Sequence, residues 1–176
     1  VALDDAHVLK EVTVHDIEPG SFYIGSWQGI VMVRWERTAD GEAVERLAKV
    51  STALVADPTY PRRSNVHIIS ENAGVPSASA RAGFVDIMKE HADRMACVCI
   101  VVESTGFLAS AMRSFLTGMR LLAPRVFQYR LFGSVEEVVA WLPAEHRART
   151  GHEIDARRFA QVLAGWARAE SKLPKT

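Results

Sequence analysis

Ala96-Cys97-Val98-Cys99-Ile100-Val101-Val102 is apolar from end to end, and an unbroken run of this kind reads as a central strand covered by helices on at least one face. Glu103-Ser104-Thr105-Gly106 ends the run. Leu108, Met112, Phe115, Met119 and Leu122 then recur at alternating spacings of four and three, a helix capped by Ser104 or Thr105 and closed by Pro124. Three further apolar runs, Ile30 to Trp35, Val66 to Ile69 and Val126 to Phe132, lead through turn-forming residues into the same kind of helical spacing. Strand alternating with helix in this way predicts one α/β domain with a mixed, partly parallel sheet.

Outward from this middle section, Val8 to Val14 alternates apolar and polar residues and predicts a half-buried strand, after which Glu18-Pro19-Gly20 turns the chain. Ser21 to Trp27 and Gly29 to Trp35 form a hairpin around Gln28-Gly29, so the chain opens as a three-stranded antiparallel meander. A first helix starts at Asp40 and shows Ala43, Leu47, Val50 and Leu54 on one face; a second runs from Ser77 or Ser79 to about Arg94 and buries Phe84, Ile87, Met88 and Met95. Ser134 opens a short helix through Trp141 and Leu142 that Pro143 stops, and Ala144 to Gly151 is polar and basic. Asp155 caps a last helix with Ile154, Phe159, Val162, Leu163 and Trp166 on one side. The expected division is an α/β domain over 1–143 and a C-terminal helical appendage over 144–176, packed on the domain or on a partner.

The chain has 176 residues, 48% hydrophobic, which is enough for a self-sufficient core. Twenty-one basic and twenty-one acidic residues give zero formal net charge, which argues against nucleic acid or a membrane surface as a partner held by the overall field. No apolar stretch approaches the roughly 20 residues of a membrane helix and the first residues do not read as a signal peptide, so a cytoplasmic location is expected. Cys97 and Cys99 lie two apart on one strand, hence on one face, and are expected to be buried, reduced and unbridged.

The order of elements over Val8 to Leu142 resembles the STAS-like family, whose members include anti-sigma factor antagonists. In that family a serine in an Asp-Ser-Ser-Gly-like motif, at the start of a helix following a central strand, is phosphorylated. The corresponding segment here is Ser70-Glu71-Asn72-Ala73-Gly74-Val75-Pro76-Ser77-Ala78-Ser79, and the motif is absent. What the resemblance implies is a protein-binding scaffold; Ser77 and Ser79 stand near the family's phosphorylation position, and plain helix capping is their expected main role.

Asn72, Gly74, Ser77 and Ser104 are the candidate ligand residues, because the loops after Ile69 and Val102 lie at the carboxyl ends of parallel strands, where open α/β sheets bind ligands. The six histidines show no metal-ligand spacing: His152-Glu153 lacks a second histidine four residues on, so neither metal nor cofactor is expected. His67 reads as a hydrogen-bonded residue at the sheet margin and His91 as part of a polar helix side. No nucleophile elbow, phosphate-binding loop or dinucleotide fingerprint occurs.

Charge is unevenly placed. Val1 to Asp57 carries five basic and ten acidic residues, whereas Ser104 to Val135 carries Arg113, Arg120, Arg125 and Arg130 and no acid. Arg113 and Arg120 lie two turns apart on one helix side and are the candidate partner-binding residues, facing a protein with an acidic surface or a second copy of the chain. The sequence therefore points to a non-enzymatic regulatory or signalling domain that binds protein. Its alternative is a small-ligand or enzymatic α/β domain built on the two loops.

Overall fold

The computed structural model describes residues 9–103, 105–122 and 128–168, with the side chains of 108, 120 and 122 outside the described set. Six strands form one sheet in chain order: β1 (Thr13–Glu18), β2 (Phe22–Trp27), β3 (Ile30–Trp35), β4 (Arg63–Ile69), β5 (Met95–Val102) and β6 (Gln128–Phe132). The first three pair antiparallel and β3 to β6 pair parallel. The hairpin between β2 and β3 turns at Gln28 and Gly29, both at positive φ (45° and 78°), the left-handed geometry of a two-residue hairpin turn.

Three crossovers join the parallel strands: α1 (Gly41–Ala56), α2 (Ala78–Glu90) and α3 (Gly106–Leu122). Each returns to the neighbouring strand in the same direction, so the right-handed rule places all three helices on one face. The buried cluster there joins Val31, Val33 and Trp35 of the sheet to Leu47, Met88 and Met112 of the helices. Asp40 and Ser77 cap α1 and α2 by accepting from Ala43 N–H (2.9 Å) and Ala80 N–H (3.1 Å).

The opposite face is covered by α4 (Val135–Thr150) and α5 (Ala156–Ala167). Here α4 does not stop at Pro143 but runs through it, so Ala144 to Thr150 is helix and not a polar loop. Proline in a helix interior costs about 3 kcal/mol. Burial offsets this, because Val138, Leu142 and His146, spaced by four, are all fully buried on one stripe. The helix ends at Gly151 in the left-handed conformation, φ 76°. In α5, Trp166 lies so close on β2 that a Cβ at Gly25 would fall 2.7 Å from its ring.

Two further expectations are corrected. The first strand is Thr13–Glu18, because Leu9 to Val12 form a turn closed by Val12 N–H donating to Leu9 O (3.1 Å). Two apolar members of the expected strand, Leu9 and Val12, are anchors buried against the face of α4 and α5 and not one side of a pleat. Met95 belongs to β5, since α2 ends at Glu90 and a short 3-10 turn over Ala92–Arg94 leads into the strand.

Candidate functional site

β4 lies in the middle of the sheet between two layers of helices, yet its side facing α1, α2 and α3 presents Asn65 and His67. Their partners in register on the adjacent strands are apolar: Val31 and Val98 beside Asn65, Val33 and Ile100 beside His67. Above them α3 is set to one side. It leans chiefly on β5 and β6, whereas α1 and α2 pack tightly on each other. The gap is a cavity of about 80 Å³ lined mainly by apolar side chains, with Ala73, Gly74 and Pro76 at the end nearest the loop after β4. That volume accommodates roughly five to eight water-sized groups.

Four of the chain's five methionines, Met88, Met95, Met112 and Met119, line this space. Unbranched and polarizable, methionine repacks around occupants of different shape at low cost. Phe115 also lines the cavity and is half-buried, not in the deep core expected for the centre of the α3 stripe; Leu116 takes the buried position beside it. The deep side of the helix passes through Ala109, Met112, Leu116 and Met119, which turns Phe115 toward the gap.

His67 is not at the sheet margin but on the cavity floor. Trp35 Nε1–H donates to its Nδ1 (3.2 Å), and the two rings stack with centroids 6.4 Å apart and an interplanar angle of 12°. Phe84 meets Trp35 edge-on at 5.6 Å. Burial holds the His67 pKa down at about 4, so the ring is neutral near pH 7. Tyr129, two strands away in the row of Asn65 and Val98, has its phenol pushed well up by burial and stays protonated. Arg37 is the one charged side chain on the cavity wall among the described residues, and it is engaged by Glu18 Oε1 (2.7 Å) and Ser21 Oγ (3.0 Å).

Other polar groups are closed on themselves. On the face of α4 and α5, Ser64 Oγ lies 2.8 Å from His146 Nδ1 and accepts from Cys97 Sγ at 3.1 Å. Ser64, Cys97 and His146 are fully buried, which leaves this serine-histidine pair without access for a substrate. Burial first, then the charge of His152, holds His146 near pKa 4, and burial raises the Cys99 thiol. Both cysteines are free and buried. Arg34 binds Glu36 through Nε and Glu103 through a terminal nitrogen (3.3 Å), an ion cluster at the carboxyl ends of β3 and β5. His91 is buried at the end of α2, 3.5 Å from Thr52 Oγ1, and so does not belong to a solvated polar side.

No family model and no curated protein matches the chain. Among solved structures it is similar to a DUF3478-family protein from Shewanella loihica PV-4 with a SpoIIAA-like fold, at 12% identity and a TM-score of 0.54, over 73% of this chain and 98% of that one. The fold is STAS-like. At this identity the likeness concerns architecture alone.

Within the STAS-like fold, Ser77 is the N-cap of α2, and its hydroxyl lies 3.0 Å from that of Ser79; both residues are exposed. Asn72 is exposed in the turn after β4, and Ser104 lies outside the described residues. Ser77, Ser79 and Asn72 do not line the cavity, which takes Ala73, Gly74 and Pro76 from the same loop. Arg113 is exposed on α3, and the side chain of Arg120 lies outside the described set. On the outward side of α3, Phe107 and Leu121 are 89% and 83% exposed. Among the described residues no group of three or more His, Cys, Asp or Glu is placed to hold a metal ion, and no helix is long and apolar enough to cross a membrane.

Proposed function

We propose that this chain is a regulatory binding domain that encloses a small apolar molecule between α2, α3 and the sheet. The observation that carries the proposal is the methionine-lined cavity with Asn65 and His67 on its floor. Ligand pockets combine an apolar wall with a few placed polar groups, and this one does so beside α3, which packs on β5 and β6 apart from the α1–α2 pair. An occupant larger than the present space would push α3 outward, which makes that helix the element able to report occupancy. Binding and not catalysis is the favoured reading, because the histidine on the floor is neutral and tied to Trp35, and the serine-histidine pair opposite is sealed.

The exposed Phe107 and Leu121 favour a second, compatible reading in which the outer side of α3 docks a partner protein. Arg113 and Arg120, in a segment without acids, suit a partner with an acidic surface or a second copy presenting its acidic N-terminal region.

Thermal unfolding with and without benzene tests the cavity reading. Saturating benzene should raise the melting temperature of the wild-type chain by mass action and should not raise that of Val98→Phe or Leu116→Phe, in which the added ring fills the space. Equal stabilisation of the wild type and of both folded variants, or none in the wild type, would reject it.

A further inference from the structure

We propose that His67 and Asn65 select an uncharged ligand carrying a hydrogen-bond acceptor, of carbonyl or ether type, at its floor end, and exclude carboxylates and other anions. The inference rests on the cavity reading above and names the chemical class of its ligand.

The ring of His67 packs on Trp35 and Phe84, but packing does not call for the polar atoms of either residue. Their strand neighbours on this face are valines and an isoleucine, and an apolar residue at either position would continue the surface. Both side chains are part-buried, with their free polar atoms turned to the cavity, and polar groups so placed are normally satisfied by protein or by water. Here Trp35 satisfies one nitrogen of His67, while among the described residues nothing bonds its Nε2 or the Asn65 carboxamide. Two unmatched polar groups beside an apolar space have their complement in an occupant.

The hydrogen bond from Trp35 fixes which atom His67 offers. Because Nδ1 accepts, its lone pair is in use and the proton of the neutral ring sits on Nε2, which is therefore a donor. Protonating Nδ1 would set two N–H groups against each other and break the bond to Trp35. Burial opposes the imidazolium as well, with the pKa held at about 4. Asn65 adds amide donors on the same strand two residues away.

Charge excludes the anion. A carboxylate on this floor would leave water without a countercharge, since Arg37 on the cavity wall is held by Glu18 and Ser21. Burying an unpaired ion costs several kcal/mol. A ketone or ether oxygen exchanges its bonds to water for the His67 and Asn65 donors and keeps its chain against the methionines.

The test compares hexane, hexan-2-one and hexanoate, which share chain length, by calorimetry or ligand-observed NMR at pH 7.5. Hexan-2-one should bind the wild-type chain about five- to tenfold more tightly than it binds His67→Phe, the step expected for one hydrogen bond, whereas hexane should bind both about equally and hexanoate neither. Asn65→Leu, which leaves the Trp35 bond intact, should weaken the ketone without weakening hexane and serves as the second variant if His67→Phe does not fold. Imidazole nitrogen-15 shifts of the wild type should show Nε2 protonated and Nδ1 bare. Equal binding of the ketone by the wild type and both variants, tighter binding of hexanoate than of the ketone, or a protonated Nδ1 would overturn the anchor while leaving the cavity reading in place. Failure of all three probes to bind would overturn both.

Discussion

The two faces of the sheet are laid on the same strands, yet they treat polar side chains in opposite ways. Under α4 and α5, Ser64, Cys97 and His146 bond to one another, and Phe159, Leu163 and Trp166 fill the space around the sheet completely. Under α1, α2 and α3, Asn65 and His67 border a gap, and four methionines line it. His146 Nε2 and Trp166 Nε1 also lack partners, but they are sealed in packed side chains and so subtract from stability without offering a site. A face that spends its polar groups on itself specifies the fold. A face that leaves them turned to an apolar space is shaped for an occupant.

The largest expected contrast is in core truncation. Phe159→Ala on the closed face should cost about 4 kcal/mol, because the ring is fully buried and its neighbours cannot collapse. Phe115→Ala should cost about 1–2 kcal/mol, since that ring is half-buried and already borders a void. Urea denaturation measures both; equal losses would mean that the two faces are packed alike.

Next in size is the response to acid. The folded pKa of His146 is about 4 against an unfolded value of 6.5, so the unfolded chain takes the proton first. Its contribution is complete above pH 6.5 and is lost as the pH falls to about 4, roughly 3 kcal/mol at about 1.4 kcal/mol per pH unit. His67 has the same direction and adds to the loss. His146→Gln, which keeps a polar partner for Ser64 and does not titrate, should flatten the slope in that window. An unchanged slope would show that His146 does not govern it. Asp16, held low by its hydrogen bond to Arg46, titrates below this range, whereas His15, lowered by burial and then by the charge of Arg63, adds to the loss within it.

The smallest effect is expected outside both faces. Arg113→Glu combined with Arg120→Glu should change stability by no more than about 0.5 kcal/mol, while weakening capture of an acidic partner most visibly at low salt. Unfolding of the double variant would assign the arginines a structural role; capture equal to wild type at every salt concentration would remove them from the binding surface.

The alternation of runs and helical stripes made the parallel half of the sheet legible, because β3 and β5 are buried on both sides, β5 without a polar interruption and β3 with Arg34 alone near its end. Gln28-Gly29 and the caps Asp40, Ser77 and Asp155 were legible for local reasons, since turn and capping chemistry depends on near neighbours. The course of α4 was not. Its continuation through Pro143 depends on burying Leu142 and His146 against β4 and β5, a tertiary gain that proline chemistry alone does not show. The cavity was hidden for the same reason, as a gap between α3 and the sheet has no sequence period. One signal was present: Asn65 and His67 alternate with Val66 and Ile68 in a strand that the helices on both sides should have made apolar throughout. Methionines gathered on two helices and a strand are a weaker trace of the same feature.

The most direct measurement uses the methionines themselves. Met88, Met95, Met112 and Met119 line the cavity, and Met32 lies on the opposite face. With carbon-13 in the methionine methyl groups, titration with hexan-2-one should shift the four cavity signals along one saturable curve and leave that of Met32 in place. No saturable shift, or a shift of Met32 as large as the others, would contradict the assignment of the α1, α2 and α3 face as the binding side.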